Sequence, residues 1–124
     1  MSINQQTMRD RVGRKLQILP IGNTLSAEDS RLINDGMATV QAKLQELDLA
    51  QVDFADGIDD AISDVLVAMV AATLTDEFQI EEPRNTQLKA QGTIGLPVAS
   101  PAERQLRKLL APTRVSRPVK ADYF

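Results

Sequence analysis

The sequence predicts a mainly α fold, a small helical bundle around a central aliphatic helix with a long extended C-terminal arm. Apolar residues make up 43% of the 124 residues, but aromatics only 3%, so the core must be aliphatic, which suits helix packing. Apolar side chains recur at steps of three and four through two stretches, the mark of one-sided helices. A third stretch, VLVAMVAATLT between Asp64 and Asp76, carries no charge at all. A helix apolar nearly all round is buried on most sides, so this one takes the centre. The length fits one compact domain over residues 1–111.

The first helix is expected over about 7–19. Residues 1–6 are polar and read as loose. Thr7 reads as the N-cap, with Asp10 three positions on. Met8, Val12, Leu16 and Leu19 form the apolar stripe, and Pro20 and Gly22 stop the helix. Ser26 with Asp29 repeats the capping pattern and opens a second helix over about 27–47. Its stripe is Leu32, Ile33, Met37, Val40, Leu44 and Leu47. Gly36 lies inside it at a cost of about 1 kcal/mol against alanine, which a close helix–helix contact would explain.

Residues 48–57 form a connector in which Val52 and Phe54 alternate with polar neighbours, as a short strand or an extended link. The central helix follows over about 58–78, with Asp59, Asp60 and Asp64 in its first turns, where negative charge suits the helix dipole. Pro83 opens a short helix over about 83–91. Gly92, Gly95 and Pro97 then mark a loop. Ser100-Pro101-Ala102-Glu103 places serine at the N-cap, proline at the first helical position and glutamate at the third. The helix it opens runs over about 101–111 and ends at Pro112. The last thirteen residues, Pro112 to Phe124, read as an extended arm able to reach about 45 Å. Val115, Val119 and Tyr123 alternate onto one side of it, while Arg114, Pro118, Lys120 and Phe124 lie on the other. Such an arm can add to a partner by strand pairing.

Charge is strongly segregated within a net of −3. Residues 1–20 carry four basic and one acidic side chain; residues 21–82 carry two basic and fourteen acidic. Residues 83–100 carry two basic and no acidic, and residues 101–124 six basic and two acidic. An acidic body repels a nucleic-acid backbone, while basic ends suit an acidic partner surface.

The sequence offers little for catalysis. It has no Cys and no His, so thiolate metal sites and the commonest general base near neutral pH are excluded. No phosphate-binding glycine loop is present, and no serine has a histidine partner. Asp60 and Asp64 lie one helical turn apart, but they lack a calcium-loop spacing and a charged helix start accounts for them. The expectation is no enzyme, no cofactor and no metal. The basic faces at Arg9, Arg11, Arg14, Lys15 and at Arg104, Arg107, Lys108 could meet phosphates, yet there is no aromatic platform for bases. The N-terminus lacks the apolar stretch of a signal peptide, and the longest apolar run is about half of the roughly 20 residues a membrane span needs. These features predict a soluble protein of the cytoplasm that uses no membrane.

The order of features resembles the head-to-tail adaptor (connector) proteins of tailed bacteriophages. The residues that carry the likeness are Met8 to Leu19 ending at Pro20-Ile21-Gly22, the turn Asn23 to Asp29, and the stripe Met37, Val40, Leu44. They continue with Val52-Asp53-Phe54, the long Ala-rich helix from Asp59 to Phe78, and a basic, proline-containing tail. The likeness covers about residues 7–80. The loop from Gly92 to Pro101 departs from it, interrupting what is often a continuous helix. The resemblance implies a homo-oligomeric ring, usually of twelve copies, bound to the portal at the head–tail junction of a virion and receiving tail or nozzle proteins below. DNA would pass through without sequence-specific binding. It further implies a portal-docking arm that includes Arg114, Val115, Arg117, Pro118, Val119, Lys120, Tyr123 and Phe124. Glu46, Asp56 and Asp59 are the candidate channel-lining acids. The alternative is a cytoplasmic helical regulator, an antitoxin-like module that folds its tail onto a partner.

Overall fold

The uncharged run between Asp64 and Asp76 decides the architecture, because a helix apolar on every side must be surrounded. In the computed structural model, which describes residues 2–19, 23–49 and 52–115, this run lies in α3 (Asp60–Leu74). From Val65 to Thr75 only Thr73 reaches the surface. Four helices pack on α3: α1 (Gln5–Lys15), α2 (Ala27–Glu46), α4 (Arg84–Gly92) and α5 (Pro101–Val115). The molecule is therefore the expected helical bundle around a central aliphatic helix. Two short strands, β1 (Ser2–Ile3) and β2 (Ile58–Asp59), pair antiparallel with Ile3 opposite Ile58.

The N-terminal segment corrects the sequence expectation. Residues 2–3 are not loose, since pairing with β2 fixes them. The N-cap of α1 is Asn4, whose side chain accepts from the Thr7 amide at 2.8 Å, and Thr7 lies inside the helix. Asparagine caps as well as threonine, and the anchored Ile3 decides between them by fixing the chain one residue earlier. Met8, Val12 and Leu16 are buried as the stripe predicts. Arg11 reaches from α1 to the start of α3, donating to Ser63 Oγ at 2.9 Å and lying 3.8 Å from the Asp60 carboxylate.

In α2, Ser26 caps through the Asp29 amide at 3.1 Å, as its spacing predicts. Ile33, Met37, Val40 and Leu44 are buried, Leu32 is half-buried, and Leu47 stays exposed past the last turn. Gly36 is explained by the crossing with α3: a Cβ there would lie 2.9 Å from Leu74 Cγ. The connector is a turn rather than a strand. It drives Phe54 into the core, and the strand forms only at Ile58–Asp59. The central helix consequently starts at Asp60, two residues later than expected, with Asp59 as its cap.

Three helix ends share one device that periodicity does not reveal. Gln17, Asp48 and Gln79 all have positive φ, at 62°, 56° and 52°. The next residue's amide returns five residues back in each case: Ile18 to Gly13, Leu49 to Leu44, and Ile80 to Thr75, the C-cap of α3. These are Schellman closures, in which left-handed backbone satisfies orphan carbonyls and an apolar residue folds back onto the core. Leu49 is buried, and Ile18 and Ile80 pack against the core from its margin. This is why α1 ends at Lys15, four residues before its expected end. Left-handed backbone costs a side-chain-bearing residue roughly 1–2 kcal/mol, and glycine escapes that cost. Gln17→Gly or Gln79→Gly is therefore expected to raise stability by about 0.5–1 kcal/mol after the added freedom of the unfolded chain is offset, as read by urea denaturation.

The C-terminal half brings one further correction. α5 does not stop at Pro112 but continues to Val115, so Arg114 and Val115 lie in a helix and not in an extended arm. Proline removes one amide donor, yet its fixed φ of about −65° is a helical value, and the ladder resumes beyond it. Arg117, Pro118, Val119, Lys120, Tyr123 and Phe124 lie outside the described residues.

Candidate interaction surfaces

Two surfaces stand out by charge and shape, and both follow from how α5 and α4 are held. α5 begins at Ser100, whose Oγ accepts from the Glu103 amide at 3.3 Å, the expected cap. The Glu103 carboxylate does not close a capping box. It accepts from the Gly95 amide at 3.1 Å and from Arg107 Nη2 at 3.2 Å, with Glu103 only 5% exposed. A buried carboxylate must recover its lost hydration through such partners. Here they tie the loop 93–100 to α5. That loop is further held by buried Ile94 and Ser100, and it presents Leu96 and Val98 to solvent, Val98 at 78% exposure.

Ala102 and Leu106 bury one side of α5 against the bundle. Arg104, Gln105, Lys108 and Leu109, spaced at steps of one and three, are exposed on the other side. Arg107 is also exposed, so every exposed charge of α5 between Pro101 and Leu110 is positive. Arg104 and Lys108 have no acidic partner among the described residues.

The opposite character belongs to the stretch from the end of α2 to the start of α4. Residues 44–83 contain no Lys or Arg at all. Glu46, Asp56 and Asp59 are each exposed: Glu46 ends α2, Asp56 lies in the connector turn, and Asp59 caps α3 by accepting from the Ala61 amide at 3.0 Å. Gln41 of α2 accepts from the Phe54 amide at 3.4 Å, so the second half of α2 and the connector run side by side. A groove between α2 and the end of α3 is lined by Leu32, Asp35, Gly36, Thr39, Thr73, Leu74 and Glu77. Its floor is possible because Gly36 lets Leu74 approach, and its two charges, Asp35 and Glu77, have no basic partner among the described residues.

α4 is held by polar ties at its exposed face. Lys89 Nζ contacts both Asp76 carboxylate oxygens at 3.0 Å, and Asn85 donates to Asp76 at 3.3 Å. The Thr86 amide and hydroxyl donate to the Glu82 carboxylate at 2.9 and 2.7 Å. Lys89 and Asn85 lower the Asp76 pKa below its ordinary value, and Thr86 does the same for Glu82. Arg84 adds a tie across the bundle, donating to the Lys15 carbonyl where α1 ends. Depressed carboxylate pKa values contribute stability above the unfolded-state pKa and lose it as pH falls through the folded value. Amide exchange in α4 is therefore expected to rise as pH drops below about 4, once corrected for intrinsic rates and compared with α2. Equal protection of the two helices at pH 3 would show that these ties do not matter.

Asp60 and Asp64, the pair considered for a cation, do not converge with a third ligand. Asp60 faces Arg11 and Ser63, while Asp64 lies at the cleft between α3 and the start of α5. Among the described residues no three His, Cys, Asp or Glu side chains gather as metal ligands, and no helix is long and apolar enough to cross a membrane. Comparison of the chain with protein-family models, with curated proteins and with solved structures finds no match.

Proposed function

We propose that the chain is a structural virion protein, an adaptor that forms a ring between the portal and the tail of a tailed bacteriophage. The observation that carries this reading is the separation of charge on a rigid helical body. A 40-residue stretch without a single cation, residues 44–83, contrasts with α5, whose exposed charges between Pro101 and Leu110 are all positive. Exposed acids such as Glu46, Asp56 and Asp59 suit a wall along which DNA slides, because like charge prevents adhesion. The basic tail, which begins in the last turn of α5 with Arg114 and continues through Arg117 and Lys120, suits an acidic portal surface. The resemblance over residues 7–80 supports the same assignment. In this role the protein acts through shape and charge, and its partners are further copies of itself, portal subunits and tail or nozzle proteins.

The decisive experiment is electron microscopy of the purified protein mixed with portal from the same virus. A ring capping the portal is the expected image. A chain ending after Val115 keeps α5 with Arg114 and removes Arg117 and Lys120, and it is expected to lose portal binding while the helical body stays folded by circular dichroism. Full binding by that truncated chain would refute the docking role of the tail.

A further inference from the structure

The outer face of α5 and the α2–α3 groove are complementary in three respects. The groove is concave, and it carries only negative charge, from Asp35 and Glu77. The α5 face is convex, as any helix surface is, and Arg104 and Lys108 lie one turn apart on it. Past Lys108, about 100° further round the helix, α5 exposes Leu109 at 37%, and the groove offers half-buried Leu32 beside Leu74. α5 cannot fill its own molecule's groove by a small shift, because its first turns are anchored on the opposite half of α3, where Pro101, Ala102 and Gln105 border Asp64, Val65 and Ala68.

We propose that the α2–α3 groove receives α5 of a second copy of this chain, with Arg104 and Lys108 meeting Asp35 and Glu77 and Leu109 seated on Leu32. This is helix-in-groove recognition, in which an amphipathic helix supplies a row of charges with an apolar anchor beside it. It rests on the ring reading above and supplies that ring's contact. The two surfaces are different patches of one chain, so the contact is heterologous. Such contacts propagate around a ring or along a filament and do not stop at a symmetric dimer. Glu46, Asp56 and Asp59 belong to neither of these two surfaces.

Charge reversal tests it. Arg104→Glu with Lys108→Glu reverses the helix, and Asp35→Lys with Glu77→Lys reverses the groove. None of these four side chains makes a hydrogen bond or ion pair among the described residues, so circular dichroism and melting should match the native chain. In native mass spectrometry and sedimentation at low salt, the native chain is expected to assemble, and each reversed variant to dissociate at roughly tenfold higher concentration or more. Mixing the two variants alone does not recreate two native contacts at once. It pairs the reversed helix of one with the reversed groove of the other, and leaves a native helix facing a native groove at the alternate junction. Assembly is therefore restored, in even copy numbers. A native chain that stays monomeric, reversals without effect, or a mixture that fails to assemble would each overturn the proposal. Portal capping is scored separately. Copies that cap the portal with unaltered rings after reversal remove this interface and leave the adaptor role standing. Copies that assemble through it but never cap a portal do the opposite.

Discussion

Gly92→Ala is expected to destabilise the protein by about 2 kcal/mol, even though alanine is the better helix former by about 1 kcal/mol. A Cβ at this position would lie 2.2 Å from the Ala68 carbonyl oxygen and 2.7 Å from its carbon. These are backbone atoms of the central helix, which no rotamer change can move aside. α4 must instead lift off α3, loosening Leu88 and the start of the loop that leads to α5. Overpacking of this kind costs about 1–3 kcal/mol and sometimes more, so it outweighs the gain in propensity. The expected fall in Tm is roughly 10 °C for a domain of this size. Gly36→Ala is the informative comparison. There the clash is with the Leu74 side chain, at 2.9 Å, which can shift, so the loss should be smaller. Equal losses at the two sites would mean that the α3–α4 contact is no closer than the α2–α3 contact.

Phe54→Ala is expected to cost about 3–5 kcal/mol, the range for truncating a fully buried aromatic. Phe54 is 2% exposed, and it is the largest of the fully buried side chains among the described residues. It projects from the connector into the core, so its removal leaves a cavity that the turn at residues 54–56 cannot fill. Domains of this size have about 5–15 kcal/mol in all, so a substantial unfolded population should appear on mild heating. Phe54→Leu keeps most of the volume and should cost less than half as much, as read by urea unfolding. A Phe54→Ala protein within 1 kcal/mol of the native chain would show that the connector is not part of the cooperative core. Because this connector carries Asp56 and leads to Asp59, the same substitution should also disturb the placement of these two acids.

Much of the fold was legible because it rests on rules that act within a turn or two. Ser26 and Ser100 announce their helices by the spacing to Asp29 and Glu103, and the structure uses both caps. The central position of α3 follows from an eleven-residue run without charge. The face of α2 follows from the spacing of Ile33, Met37, Val40 and Leu44. The candidate surfaces were legible in part. The basic character of α5 and the acidity of residues 44–83 are counts along the chain, but the groove that joins Asp35 to Glu77 needs α2 and α3 to be packed together.

What the sequence by itself determined is thus the set of helices, the order of charge and the aliphatic centre, all properties of near neighbours in the chain. Tertiary structure alone decided the rest. It chose Asn4 over Thr7 as the cap, because Ile3 pairs with the distant Ile58. It turned Gly92 from apparent loop punctuation into a close α4–α3 contact, because Ala68 lies opposite. It gave the Glu103 carboxylate to Gly95 and Arg107, because the loop folds back over α5. For the Asn4 cap and the Gly92 contact, local chemistry permits more than one outcome, and the choice is made by contacts between segments far apart in sequence.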